Sequence, residues 1–190
     1  MSSVLEGITI RPADKTEADL IASMWAEASQ WLKSRGLDQW QYPADAEKIA
    51  RDIERGNAYV AHRVRNHQNA IEYVGTITVD NFADPEFWTA HDNPDEALYG
   101  HRIITLPELR GQAVGLTLLD WASVKAEEEG KKWFRVDAWK TNAELGSYYE
   151  RQGFEHVRTV DLPHRRSGAL YQRRAGMVSD RAPKFVGSET

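Results

Sequence analysis

The chain has no cysteine among its 190 residues, which excludes disulfides, thiolate metal ligands and a cysteine nucleophile. It also has no basic surplus. Its 29 Asp and Glu outnumber 24 Lys and Arg, giving a formal charge of −5, so a nucleic-acid partner or an anionic membrane surface is not expected. Nowhere do ~18 apolar residues run together, so no membrane-spanning helix and no membrane partner are expected. The opening MSSVLEGITI lacks a basic region leading into an apolar core; a secretory leader is not expected, and a cytoplasmic location is. The histidines show no i, i+4 pair and no ligand clustering, so no metal is expected. Neither a Gly-x-Ser-x-Gly elbow nor a Walker loop is present. What is present is an ordinary globular balance, 41% hydrophobic and 28% charged, at a length that suits one domain with a real core. Seven tryptophans and seven tyrosines are many for this size. Such rings, where they fall in loops, often line ligand cavities.

The hydrophobic pattern predicts the elements in order. Residues 8–11 alternate and meet Pro12, a short strand. Asp14 or Thr16 can cap a following helix, with Asp19 completing a short-armed capping box behind Thr16. Leu20, Ile21, Met24, Trp25, Ala28 and Leu32 fall on one helical face, and Gly36 ends it. An aromatic connector, 37–43, leads to a second helix over 44–55. Strands are expected at 58–64 and 71–80, joined by a polar turn, and at 98–106. Between the last two, residues 81–96 carry Pro85, Pro94 and five acids, a long loop of the kind that is more often functional than idle. A long helix over 113–129, a strand at 133–138, a short helix at 143–151 and strands at 154–160 and 169–173 complete the set. This order, β-α-α-β-β-β-α-β-α-β-β, reads as one α/β domain spanning 1–175, with a mostly antiparallel sheet of about seven strands and about four helices. The polar residues 176–190 are expected to form a loose tail.

The most informative segment is 103–119, a strand, a loop of small residues, and the start of the long helix. Unpaired amides at a helix N-terminus favour an anion, and small residues let a phosphate approach the backbone. On these grounds alone, an anion site and a plain strand–helix turn are about equally good readings.

The stretch Pro107-Glu108-Leu109-Arg110-Gly111-Gln112-Ala113-Val114-Gly115 resembles the acyl-CoA-binding motif of the GNAT N-acetyltransferases, with alanine at 113 where that family usually has glycine. Downstream, Asn142, Tyr149 and Gly153-Phe154 resemble the family's second signature, Asn-x6-Tyr-x3-Gly-Phe. The likeness is close over about 98–160 and loose elsewhere. It implies a GNAT fold and acetyl-CoA, or another acyl-CoA, as co-substrate. It also implies that Ile104, Thr105 and Leu106 pair with the cofactor arm through their backbone. Arg110 and the amides of Gly111, Gln112, Ala113, Val114, Gly115 and Leu116 would meet the diphosphate, and Asn142 would bond the arm or cap the next helix. Tyr149 stands at the family's general-acid position. Two residues compete for the base. Asp137 matches a position where some relatives carry a catalytic Glu, and His101 offers a side chain whose ordinary pKa, about 6.5, suits the role. Trp40 and Trp139 are candidate walls of the acceptor site, together with Trp31, Tyr42 and Trp88, and the acids of 81–96 could draw in a cationic amine.

Three functions remain open on the sequence. The first is transfer of an acetyl or other small acyl group to the primary amine of a small molecule. The second is transfer to a protein N-terminus, lysine or aminoacyl-tRNA. The third is a non-catalytic acyl-CoA-binding module on the same fold. Dimers are common among relatives, and a homodimer is left open.

Overall fold

The computed structural model describes residues 7–65 and 70–187. The polar turn expected between the second and third strands lies largely outside them. Among the described residues the chain forms β1 (Ile8–Pro12), α1 (Ala18–Ser34), α2 (Ala46–Glu54), β2 (Ala58–Arg65), β3 (Ala70–Asp80), β4 (Ala97–Thr105), α3 (Val114–Glu128), β5 (Trp133–Trp139), α4 (Ala143–Arg151), β6 (Glu155–Thr159), β7 (Ser167–Arg174) and β8 (Phe185–Gly187). They build one eight-stranded sheet in the order β6-β7-β5-β4-β3-β2-β1-β8. Neighbours are antiparallel except at β4–β5 and β1–β8. The parallel β4–β5 pair requires a crossover, and α3 supplies it.

Both faces of the sheet are covered, and the period of two along each strand decides which side chain goes where. On β2, Tyr59 and Ala61 enter the main core with Leu118, Ala122 and Trp121 of α3. Their neighbours Ala58 and Val60 face the other way, onto Ile21 of α1 and Ile49 and Ile53 of α2. The amphipathic face read along α1 is also found: Met24, Trp25 and Ala28 are buried there with Ile104 of β4.

Of the two expected N-terminal caps the structure uses the first. Asp14, not Thr16, opens a single 3-10 turn, Lys15–Glu17, accepting a hydrogen bond from the Thr16 amide, and Glu17 returns the box by accepting from the Asp14 amide. Glu17 does more than cap. It also accepts two hydrogen bonds from Arg11, at 2.9 and 2.7 Å, and one from the Tyr73 hydroxyl at 2.6 Å.

The C-terminal segment is the clearest correction. Expected to be loose, it folds back along α3 and adds β8 beside β1. It lies over a buried ion pair. Arg173 and Asp120 are both about 1% exposed and 3.0 Å apart, and burial pushes the acid up and the arginine down. Such a pair must have its remaining polar atoms satisfied. Arg173 donates to the Leu119 and Gln152 carbonyls and to Ser123. The tail supplies the Ser179 amide to Asp120, and the Gly176 amide to the Ser123 carbonyl.

Glu17 makes stability depend on acid. Its hydrogen bonds from Arg11, against the cost of burial, hold its carboxyl down to about 2. A folded-state pKa below the unfolded value gives a contribution that is complete above about pH 4.5 and lost as pH falls toward 2. The loss is about 2–3 kcal/mol. Urea midpoints at pH 6 and pH 3 should show it, and Glu17→Gln should shrink the difference between them. An unchanged difference would assign the acid sensitivity to other carboxylates.

Candidate active site

The site begins where β4 and β5 part. The parallel ladder joins Ala97–Gly100 to Trp133–Val136 and goes no further. Gly100, at its last rung, is held to glycine by packing: a Cβ there would stand 2.6 Å from the Phe134 ring. On the other flank of β4, Thr78 opposes His101 while Thr76 opposes Ile104, so three steps on β4 match two on β3. One residue is therefore extra. This is a β-bulge, and Arg102 within it has φ 47°, a left-handed conformation unusual for a side chain of this size. Beyond Gly100 the β5-facing edge of β4, residues 101–105, has no ladder partner. The resulting wedge is a cleft of about 960 Å³.

Three ionisable groups line its throat in a row. His101 Nε2 is 3.0 Å from Asp80 Oδ1, and its Nδ1 is 4.0 Å from Asp137 Oδ1. Burial alone would raise the Asp80 carboxyl, but hydrogen bonding and charge from His101, the Phe82 amide and the charge of Arg102 together hold it low. An ionised Asp80 can only accept, so Nε2 carries a proton, and in the neutral imidazole the Nδ1 lone pair then faces Asp137. Asp137 is pushed up by burial, partly offset by His101 and Ser167. Two acceptors 4.0 Å apart can both lie about 2.9 Å from one donor. The gap between His101 and Asp137 thus fits an ammonium nitrogen. The sequence offered these two as rival bases; the fold makes them neighbours, and adds Asp80, which no local pattern marked.

Tyr149 lines the same cleft from α4. It is 7% exposed, packed against Phe154 and Tyr171 with ring centroids 5.2 and 5.5 Å away. Burial, with smaller help from Tyr148, Asp137 and Tyr171, pushes its hydroxyl well above the ordinary phenol range. That hydroxyl has no hydrogen-bond partner among the described residues.

The expected anion-binding loop follows β4. A 3-10 turn, Pro107–Leu109, leads to Gly111 at φ 80° and Ala113 at φ 57°, and α3 starts at Val114. No side chain caps α3, so the amides of Val114, Gly115 and Leu116 stand without acceptors among the described residues. Backbone of this form makes an anion-binding concavity at the positive end of a helix. A Cβ on Gly115 would sit 3.1 Å from the Tyr148 hydroxyl, so the small residue keeps this mouth open. Arg110 is exposed, its guanidinium stacked 3.9 Å over the Trp31 ring. Gln112 accepts from Arg63 of β2, which steadies the loop from the side. Asn142 is a helix cap: its side chain accepts from the Leu145 amide and donates to Gln39, so its amide is already committed within the protein.

The aromatic wall is partly as expected. Trp40 stacks on Trp25 at 4.7 Å, and Tyr42 lies between Trp25 and Trp139. All four line the cleft. Trp31 does not, being occupied by Arg110, and Trp88 is buried in a separate cluster with Phe87 and Tyr99. The acids of 81–96 are mostly tied down as well: Asp92 by Arg158, Glu86 by His164 and Arg165, Asp84 by Arg165. Of these acids only Asp84 reaches the cleft, already paired. The connector 37–42 carries residues whose role the sequence did not signal. Asp38 accepts from Trp139 Nε1 at 2.9 Å and from the Thr141 hydroxyl at 2.7 Å, pinning the connector across the end of β5.

Comparison with known proteins follows the same lines. A family model for the acetyltransferase (GNAT) domain matches residues 54–156. The chain is 26% identical over 158 residues to the uncharacterised N-acetyltransferase YesJ of Bacillus subtilis, covering 82% of this chain and 86% of that protein. Among solved structures, a GNAT-family acetyltransferase from Listeria monocytogenes superposes with a TM-score of 0.72 at 21% identity, covering 88% and 94% of the two chains. The PaiA N-acetyltransferase of Thermoplasma acidophilum, solved in complex with coenzyme A, gives 0.63 at 16% identity, covering 88% and 99%.

Ala113 yields a test of the loop. A non-glycine residue in the left-handed region costs about 1–2 kcal/mol, and glycine gives back part of that through a more flexible unfolded chain. Ala113→Gly should therefore stabilise the fold by about 0.5–1 kcal/mol in a urea titration. A clear loss of stability would mean that the methyl group packs to more effect than the backbone strains.

Proposed function

This chain belongs to the GNAT N-acetyltransferase family, and on that premise we propose that it moves an acetyl, or other small acyl, group from acyl-CoA directly to the primary amine of a small molecule. The observation that carries the reading is the row Asp80–His101–Asp137 at the throat of the cleft, beside a strand edge that lacks a partner and leads into uncapped helix amides. The thioester, when bound, supplies the acyl carbonyl and a sulfur leaving group. The residues present fit such a co-substrate. The free edge at Ile104, Thr105 and Leu106 suits its amide-bearing arm, and the amides from Gly111 to Leu116 suit its diphosphate, with Arg110 nearby. A structural neighbour that binds coenzyme A supports the same assignment.

His101 takes the proton of the acceptor amine at Nδ1. Asp80 fixes the tautomer by accepting from Nε2, as the orienting acid of a triad does. Asp137 holds the ammonium against His101 until that proton leaves. Tyr149, whose hydroxyl burial keeps protonated at neutral pH, donates it to the sulfur as negative charge develops there. Trp40 and Trp139 bound the acceptor. The covering connector, pinned by Asp38, favours a small acceptor over an extended peptide, which would need an open groove.

Thiol release from acetyl-CoA across a panel of primary amines tests the assignment. Tyr149→Phe should lower kcat about 10–100-fold while leaving KM for acetyl-CoA nearly unchanged, and His101→Gln should lower kcat/KM by about 100-fold. Asp80→Asn should cost about tenfold or more, because an amide can donate to Nε2 and reverse the tautomer. Near-normal turnover in His101→Gln would transfer the base to Asp137. Tight acetyl-CoA binding without thiol release from any amine would favour a non-catalytic module.

A further inference from the structure

The cleft has a second charged wall that the acyl-transfer reading does not use. Arg102, on the bulge and adjoining the base His101, lines the cleft with its side chain 17% exposed. Its Nη2 donates to Asp52 of α2 and to the Thr78 hydroxyl. Its Nε and Nη1 meet no acceptor among the described residues, so part of a planar donor fork faces the cavity. Its backbone is held at φ 47°, a conformation that persists for such a residue only where the surroundings impose it, and that recurs at ligand clamps. Lys48 and Arg55 of the α2 region line the same cleft, exposed and without an ionic partner among the described residues. Asp137 and His101 line the same cleft, and Tyr42, which also lines it, lies in the fields of both Arg102 and Asp137.

This polarity constrains the acceptor. A molecule bearing only an amine would be held at Asp137 but would leave the uncommitted Nε and Nη1 of Arg102, and the exposed Lys48 and Arg55, with nothing to bind. A carboxylate matches the uncommitted Nε and Nη1 of Arg102 in geometry and adds a negative charge near the exposed Lys48 and Arg55. Trp40, Tyr42 and Trp139 leave an apolar, ring-lined space for the rest of the molecule.

Resting on the acyltransferase reading, we propose that the acceptor is an amino acid or a close analogue with an apolar or aromatic body. Its amine binds between His101 and Asp137, and its carboxylate binds on Arg102, with Lys48 and Arg55 drawing it in. Arg102 is on this account a specificity-determining residue, not a part of the proton transfer.

Matched acceptors separate the possibilities. Phenylalanine, its amide and phenethylamine, and likewise tryptophan and tryptamine, would be compared by thiol release from acetyl-CoA. The carboxylates should be preferred at least tenfold in kcat/KM, with the difference residing in KM. Arg102→Lys should reduce the preference severalfold, since it keeps the charge but loses the fork. Arg102→Gln combined with Asp52→Asn, which avoids stranding a lone buried carboxylate, should abolish it; a thermal scan would establish that this variant folds. Lys48→Gln and Arg55→Gln, both at exposed positions, should each weaken it by about twofold. Equal or better use of the decarboxylated amines by the unaltered protein would overturn the amino-acid assignment and leave the transferase reading standing, as would a preference that survives in the folded double variant. Thiol release with none of the acceptors would count against the transferase reading itself, and this inference would fall with it.

Discussion

One extra residue in β4, at Arg102, sets the geometry on which the site depends. While β4 and β5 run parallel from Ala97 to Gly100 they satisfy each other's backbone, and no ligand can enter. The bulge turns the strand, and two consequences follow from the same displacement. The β5-facing edge of 101–105 is left without a ladder partner. The side chains at 101, 102 and 137 also converge on a cavity rather than on a packed core. Because a bulge shifts the register by one, it also re-aims side chains: His101 meets Asp80 across β3, and Arg102 reaches Asp52 on α2. The strain at Arg102 is offset by that ion pair, which joins the helical layer to the sheet at the mouth of the cleft.

Burial of charge serves two different ends in this fold. Arg173 and Asp120 are sealed beneath the C-terminal segment, where Arg173 donates to surrounding carbonyls and the Ser179 amide reaches the acid. Neither side chain lines the cleft, and the pair meets the tail through the Ser179 amide. Asp80, His101 and Asp137 are less deeply buried, face a cleft of about 960 Å³, and are set 4.0 Å apart on the His101–Asp137 side, too far to satisfy each other directly. A gap of this size, in a place where both groups could have closed it, leaves room for a third polar group to complete the arrangement. The distinction between structural and functional charge is thus one of geometry rather than of composition, since both sets contain an acid and a base.

How much of this the sequence disclosed follows from the range of each interaction. The strand, loop and helix from 103 to 119, and the run from Asn142 to Gly153, are local patterns, and the elements fall within one or two residues of where periodicity put them. The reading of about four helices and about seven strands holds, with β8 as the strand it did not include, because a polar tail gives no sign that its Ser179 amide will meet Asp120, some 60 positions earlier. His101 and Asp137 were recognised singly, yet their relation was not, since nothing in a sequence records that β4 and β5 part at Gly100. Asp80, Asp52 and Arg102 had no local signal. They matter because a bulge brings together three segments separated by 20 to 50 positions, as the spans of the His101–Asp80 and Arg102–Asp52 contacts show.

The aromatic residues show the same limit from another side. Composition flagged an excess of rings but could not sort them, because a tryptophan's surroundings are tertiary. Trp88 became core under Arg135 and Arg158, and Trp31 became a platform for Arg110. Trp40 became a wall, at the cost of a left-handed backbone at φ 58°. That last conformation is maintained by Ser29, whose hydroxyl donates to the Trp40 carbonyl, and by stacking on Trp25. The neighbouring residues Asp38 and Gln39 bond to Trp139, Thr141 and Asn142 at the end of β5 and the start of α4. Tyr149 stands on that same short helix. The connector that lines the cleft and the start of the helix that carries Tyr149 are therefore joined by hydrogen bonds. A change in the connector can then reach the position of Tyr149 without touching it, so the aromatic wall and α4 are not separable parts of the cleft.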